Sequence, residues 1–275
     1  MITDIQQMKI KYVIFDLHGV IIHPQHRSPQ KENPAPEVIK ILRGMGLHIL
    51  FATNSSSMSK IKMVEILETC GIETEEKYTV SAGHAMAKYL LGKYDRTPAY
   101  FIGKPGFREI IETGAGKAVC FGDPANAVLV IAGGTPDLSK QQLDAAGKAA
   151  LNGARLLATS KEGMIPAEKG MQIGPGHTIR QLETVMNQDA MVIGKPNAFM
   201  LTEVLKLSKE MLHTSLIIGD NEDFDTRLGK TVGAYTVHLS EERPVERAGR
   251  AKSDWVIDRL ELLPGIINQL NKQPV

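Results

Sequence analysis

Val13-Ile14-Phe15-Asp16-Leu17-His18-Gly19-Val20 runs an unbroken apolar segment into a carboxylate and then a glycine. Without apolar/polar alternation, residues 10–16 read as a strand buried on both faces, as in a parallel sheet covered by helices. Open parallel sheets bind ligands beyond the carboxyl ends of their strands. Asp16 occupies such an end, and His18 follows it two residues later.

Working outward, Val38, Ile39, Ile41, Leu42 and Met45 form a helical stripe ended by the glycines at 44 and 46. Residues 47–52 read as the next strand, closing on Thr53-Asn54-Ser55-Ser56-Ser57, which is expected to cap a helix through Ile61, Val64 and Leu67. Further strands are expected at 99–102, 127–132 and 155–158, with a helix over 138–151. The glycines and prolines of 163–176 predict a stretch without regular structure. Beyond it, 191–193, 215–218, 234–239 and 255–257 read as strands, and 198–207, 226–231 and 260–270 as helices. This alternation predicts an α/β protein with a doubly wound parallel sheet. Residues 1–81 and 177–275 are expected to build one core, including the 191–193 strand, and 82–176 a smaller inserted α/β domain.

Lys plus Arg (32) cancels Asp plus Glu (31), so no bulk field draws the chain to nucleic acid or a membrane surface. Cys70 and Cys120 are too few for a disulfide framework or a thiolate metal site, and they read as buried thiols of a reducing compartment. Asp4 and two glutamines interrupt residues 1–9 where a signal peptide needs an apolar run, and no segment has membrane-spanning length. A cytoplasmic location is expected.

Four polar clusters close strands or follow them: Asp16, Thr53-Asn54, Lys195 and Asp220. Any one alone is more readily a turn former or a helix cap. Together they meet the needs of phosphoryl transfer, which requires a nucleophile, a divalent cation and donors for the non-bridging oxygens. Asp16 offers the nucleophile, and Asp220 and Asp225 offer hard oxygens suited to Mg²⁺. Thr53 offers a hydroxyl, Lys195 a positive charge, and the start of the next helix backbone amides. Gly103-Lys104-Pro105 duplicates the triplet around Lys195 but lies inside the insertion, so Lys104 reads as a solvated loop residue; Gly122-Asp123 reads as a turn. His18, His23 and His26 match no common zinc spacing.

Asp16-Leu17-His18-Gly19-Val20, Thr53-Asn54-Ser55, Gly194-Lys195-Pro196 and Gly219-Asp220-Asn221 with Asp225 resemble, in order, the four motifs of the haloacid dehalogenase superfamily. The closer resemblance is to its NagD-like, p-nitrophenylphosphatase-like branch. Members of that branch carry a large α/β cap of the C2 type where this chain has its insertion. Residues 151–159, Pro166 and Gly174-Pro175-Gly176 look like the branch's cap exit.

The resemblance spans almost the whole chain. It implies a Mg²⁺-dependent phosphatase acting on a small phosphorylated metabolite through an aspartyl phosphate. In that role Asp16 attacks phosphorus, and Thr53, Asn54, Ser55 and Lys195 hold the phosphoryl oxygens. Asp16, the His18 carbonyl, Asp220 and Asp225 surround the metal. Cap residues within 159–176 close over the leaving group, and a homodimer through the cap is implied as well.

His18 is the departure, because the family has a second Asp there as proton carrier. Mg²⁺ and Lys195 are expected to push an imidazole below its usual value of about 6.5, and the phosphate's negative charge pulls the other way; where the cations win, the imidazole is a base toward water but a poor proton donor to an alkoxide. The expected consequence is a bias toward good leaving groups such as aryl phosphates. Two other readings stay open on the sequence: phosphonate or carbon–halogen hydrolysis, and a phosphate-binding sensor without turnover.

Overall fold

Two parallel sheets divide the chain. The computed structural model describes residues 10–22, 33–135, 137–167, 170–240 and 252–272. The first sheet is built from β1 (Tyr12–Asp16), β2 (His48–Thr53), β3 (Thr79–Ser81), β11 (Ser215–Gly219), β12 (Tyr235–Leu239) and β13 (Trp255–Ile257), in the order β13-β12-β11-β1-β2-β3. The second is built from β4 (Thr97–Ile102), β5 (Val119–Phe121), β6 (Leu129–Ala132), β7 (Arg155–Ala158) and β10 (Met191–Val192), in the order β10-β7-β6-β4-β5.

β1 explains its own sequence. Val13 and Phe15 pack into one hydrophobic cluster with residues of helix α1 (Ala35–Gly44) and helix α9 (Leu263–Lys272), while Ile14 packs into the cluster on the other face. With both faces covered, alternation has no purpose, and each such side chain contributes about 1.5–3 kcal/mol of burial. β1 pairs with β2 and β11 on either side, which sets Asp16, Thr53 and Asp220 at one edge of the sheet.

Several expectations change. The strand at Met191–Val192 pairs with β7 and so completes the second sheet, although its position after the insertion assigns it to the core. Helix α6 (Pro175–Met186) likewise packs on α5 (Lys140–Leu151) beneath that sheet. Within 163–176 the described residues hold regular structure: β8 (Met164–Ala167) and β9 (Gly170–Ile173) form an antiparallel ribbon, and α6 begins at Pro175. A two-stranded ribbon has an open edge on each strand, so proline and glycine do not exclude it.

Helix α2 (Lys60–Thr69) starts later than its serine run suggests, because Ser59, not the 53–57 run, accepts the Lys62 amide as its cap. The expected helix over 198–207 is a wide, π-type turn at Met200–Val204, and a second such turn at Glu222–Thr226 leads into the helix expected over 226–231. Two short helices adjoin them, α7 (Lys209–His213) and α8 (Arg227–Val232). Cys120 is exposed and Cys70 half-buried, so neither is the buried thiol expected. Gly122-Asp123 is a turn as expected, with the Asp123 carboxylate accepting the Ala125 amide. His23 and His26 lie outside the described residues.

Candidate active site

Asp16 closes β1, Thr53 closes β2, and Asp220 follows β11, so three adjacent strands deliver their polar ends to one place. Lys195 reaches them from the other direction, on the loop after β10. Its ammonium donates to Asp16 Oδ1 and Asp225 Oδ1, each at 2.7 Å, and to the Ala52 carbonyl at 3.3 Å. Lys195 is 2% exposed and Asp225 3%, so this is a buried cation shared by two carboxylates.

Carboxylate oxygens of Asp16, Asp220 and Asp225 lie within 4.8 Å of one another. An all-oxygen donor set of this kind matches a hard divalent cation such as Mg²⁺. Two glycines permit the convergence. At Gly19, where φ is 84°, a side chain would overlap the Asp220 carboxylate. At Gly219 it would overlap Asp225, which the wide turn folds back over β11 through the bond from the Asp225 amide to the Asn221 carbonyl (2.8 Å).

Burial, with Asp16 and Asp225 nearby, raises the Asp220 carboxyl well above the usual range. Burial also pushes Asp225 up to about 6, against the pull of Lys195. Burial acts downward on Lys195, but Asp16, Asp225 and Glu162 outweigh it and hold the ammonium above its ordinary value. One cation thus stays ionised among several carboxylates and cannot compensate all of them.

The other expected residues line the same cavity of about 300 Å³: Asp16, His18, Thr53, Asn54, Ser55 and Asp220 are all on its wall. Thr53 Oγ1 accepts the Ser55 amide at 3.2 Å and lies 3.2 Å from His18 Nδ1. The Asn54 side chain is taken up by bonds within the protein: Oδ1 accepts the Lys195 amide at 2.7 Å, and Nδ2 donates to the Lys195 carbonyl (3.2 Å) and Ser160 Oγ (3.3 Å). It buckles the Lys195 loop to the core.

Loops leaving the second sheet bring Thr159, Glu162 and Lys104 to the wall, and the β8–β9 ribbon brings Met164, Ile165, Met171 and Gln172. Lys104, read as a solvated loop residue, is exposed at the N-terminus of α4 (Pro105–Gly114) and also reaches the cavity. Ser160 Oγ donates to Glu162 Oε2 at 3.2 Å and accepts the Glu162 amide at 3.1 Å. Burial, reinforced by Asp16 and Asp225 and opposed by Lys195, pushes the Glu162 carboxyl up to about 7. Glu162 and Ser160 fall within the 159–176 segment expected to meet the leaving group, but nothing in their spacing singles them out.

The chain is similar to known families and structures. Residues 13–115 match the haloacid dehalogenase-like hydrolase family and residues 192–263 a HAD-hydrolase-like family. A 5'-nucleotidase, YutF of Bacillus subtilis, is 26% identical over 262 residues, covering 95% of this chain and 96% of that protein. The sugar-phosphatase AraL of the same species is 29% identical over 223 residues, covering 80% and 79%. The structure of p-nitrophenyl phosphatase from Archaeoglobus fulgidus superposes with a TM-score of 0.79 at 25% identity, covering 94% of this chain and 99% of that one.

Proposed function

The chain belongs to the haloacid dehalogenase-like hydrolases, among the NagD- and p-nitrophenylphosphatase-type phosphatases, and we propose that it transfers the phosphoryl group of a small monoester to Asp16 and then to water, with Mg²⁺ bound. The observation that carries this reading is the Asp16 carboxylate, fixed by Lys195 at 2.7 Å beside Asp220 and Asp225 on the wall of the cavity.

Asp16, Asp220 and Asp225 would hold Mg²⁺ with the His18 carbonyl. When bound, the cation offsets the charge of phosphate and carboxylate and draws them together. Lys195 neutralises and orients Asp16. The Thr53 hydroxyl and the Ser55 side of the loop hold phosphoryl oxygens. Asn54 acts through Lys195, by fixing the loop that carries it. Carbon–halogen chemistry without a metal has no use for the three gathered carboxylates. The core and cap division, a dimer through the cap and a cytoplasmic location belong to the same proposal; among the described residues no helix is long and apolar enough to cross a membrane.

His18 makes the reading testable. An imidazole there is a weak proton donor to an alkoxide, and general acid–base help is worth about 10² to 10⁴ in rate. His18→Asp is therefore expected to raise turnover of an alkyl phosphate by about tenfold or more and of p-nitrophenyl phosphate by less. Comparing the two substrates in both proteins checks it; equal gains would sink the leaving-group explanation. A sensor would bind phosphate esters tightly and release no phosphate in the same assay.

Metal binding provides a second expected outcome. The cation and protons compete for Asp220 and Asp225, whose carboxyls are raised. The rise in melting temperature on adding Mg²⁺ is expected to be larger at about pH 7.5 than at about pH 5. A rise independent of pH would place the metal elsewhere.

A further inference from the structure

The cap side of the cavity carries a carboxyl that the scheme above does not use. Glu162 lies between β7 and β8, in the loop leaving the second sheet, and shares the cavity wall with Asp16, His18 and Asp220 from the first. We infer that Glu162 is a further catalytic residue, the acid that protonates the leaving-group oxygen, and that the alkyl-ester turnover His18 permits depends on it. This rests on the phosphatase reading above.

The hydrogen bonds fix where the proton sits. Ser160 Oγ accepts from Asn54 Nδ2 (3.3 Å) and from the Glu162 amide (3.1 Å), so its own hydroxyl proton is directed to Glu162 Oε2 (3.2 Å). Oε2 is thereby an acceptor, and the acid proton of a neutral Glu162 resides on Oε1. The same bonds tie Glu162 through Asn54 to the Lys195 loop, so the carboxyl is held on a side chain chain-linked to the nucleophile's partner.

The charges around Glu162 keep that proton available. Burial raises the Glu162 carboxyl, Asp16 and Asp225 oppose its ionisation as well, and Lys195 and the Ser160 hydroxyl favour it. His18 and Lys104 face the same cavity, and the adjacent Lys161 is ion-paired with Glu183 on α6. The Thr159 hydroxyl, 1% exposed and on the same wall, has no hydrogen-bond partner among the described residues. A buried hydroxyl in that condition is stabilised by a bound oxygen, which a leaving group or attacking water supplies.

The step balances. As Asp16 bonds to phosphorus, the ester P–O bond breaks and its electron pair leaves on the ester oxygen, which takes the Glu162 proton. Water then bonds to phosphorus, the acyl phosphate P–O bond returns its pair to Asp16, and the proton lost by water restores Glu162. Ester and water give alcohol and phosphate.

The test compares p-nitrophenyl phosphate, whose phenolate leaves without a proton, with glycerol phosphate, whose alkoxide needs one. With Mg²⁺ present, Glu162→Gln is expected to lower glycerol phosphate turnover on the order of 10²-fold and p-nitrophenyl phosphate turnover by less than about tenfold. Glu162→Asp, which keeps the acid, is expected to recover part of the alkyl rate. In a His18→Asp background the alkyl loss from Glu162→Gln is expected to shrink, because position 18 then supplies an acid of its own. Equal losses on both esters, or an unchanged ratio, would overturn the inference and leave the phosphatase reading standing. If the unaltered protein releases phosphate from neither ester, or Asp16→Asn releases it as fast, that reading fails and takes the inference with it.

Discussion

Asp16→Asn is expected to lower phosphate release on the order of 10⁴-fold or more, with the fold retained. Asn has the size of Asp and can still accept from Lys195, so packing at this 8%-exposed position changes little. What is lost is the attacking carboxylate and one negative charge of the metal cluster. Those two losses separate experimentally. Asp220→Asn removes only a charge from the cluster, so excess Mg²⁺ is expected to recover much of its activity, while Asp16→Asn stays inactive at any Mg²⁺ concentration. Melting curves of the two variants check that both are folded, and recovery of Asp16→Asn by metal would contradict the role given to it.

The second large effect is at Lys195. Removing one partner of a buried ion pair costs about 3–5 kcal/mol, since the remaining charge is left uncompensated. Here Lys195→Met leaves Asp16 and Asp225 facing each other beside Asp220. In a chain of this size that corresponds to a fall in melting temperature of about 10 °C. Loss of the group that orients Asp16 is expected to reduce turnover by about 10²- to 10³-fold as well.

The pH dependence of the deficit has a definite sign. Lys195 is raised, so its contribution is complete below the unfolded value of about 10.4 and fades only above its folded value, outside the neutral range. Asp220 and Asp225 are raised already and rise further without the cation, so in the variant the native state takes up protons more readily than the unfolded chain as pH falls toward about 4. The deficit is therefore expected to be largest near neutral pH and to narrow toward about pH 5. Paired melts in chelator at the two pH values measure it; a deficit that widens in acid would contradict the assignment of a repelling carboxylate cluster.

The parts of the site readable from sequence are those that close an apolar run. Asp16, Thr53 and Asp220 were legible because a buried strand must end somewhere, and polar residues at adjacent strand ends meet. Lys195 is legible through its triplet, yet the strand before it belongs to the second sheet, and a two-residue strand carries no mark of its partner. Contacts between distant segments leave no local trace. Asn54 reads as one more polar residue after a strand, but it binds Lys195 across 141 positions and Ser160 across 106. The serine run before α2 offers several equivalent caps, and only the backbone path selects Ser59. The ribbon β8–β9 is hidden by its own glycine and proline, which a covered strand would exclude and an open one tolerates. Glu162 carries no sequence signal at all, because its shifted ionisation comes from burial against groups on other strands.

Acid-quenched protein taken during turnover of p-nitrophenyl phosphate, digested and weighed by mass spectrometry, tests the central claim most directly. The account predicts a phosphoryl group on the peptide containing Asp16, present with Mg²⁺ and absent from Asp16→Asn. Sustained turnover with no phosphoryl group on that peptide, or with one attached at Asp220 instead, would contradict it.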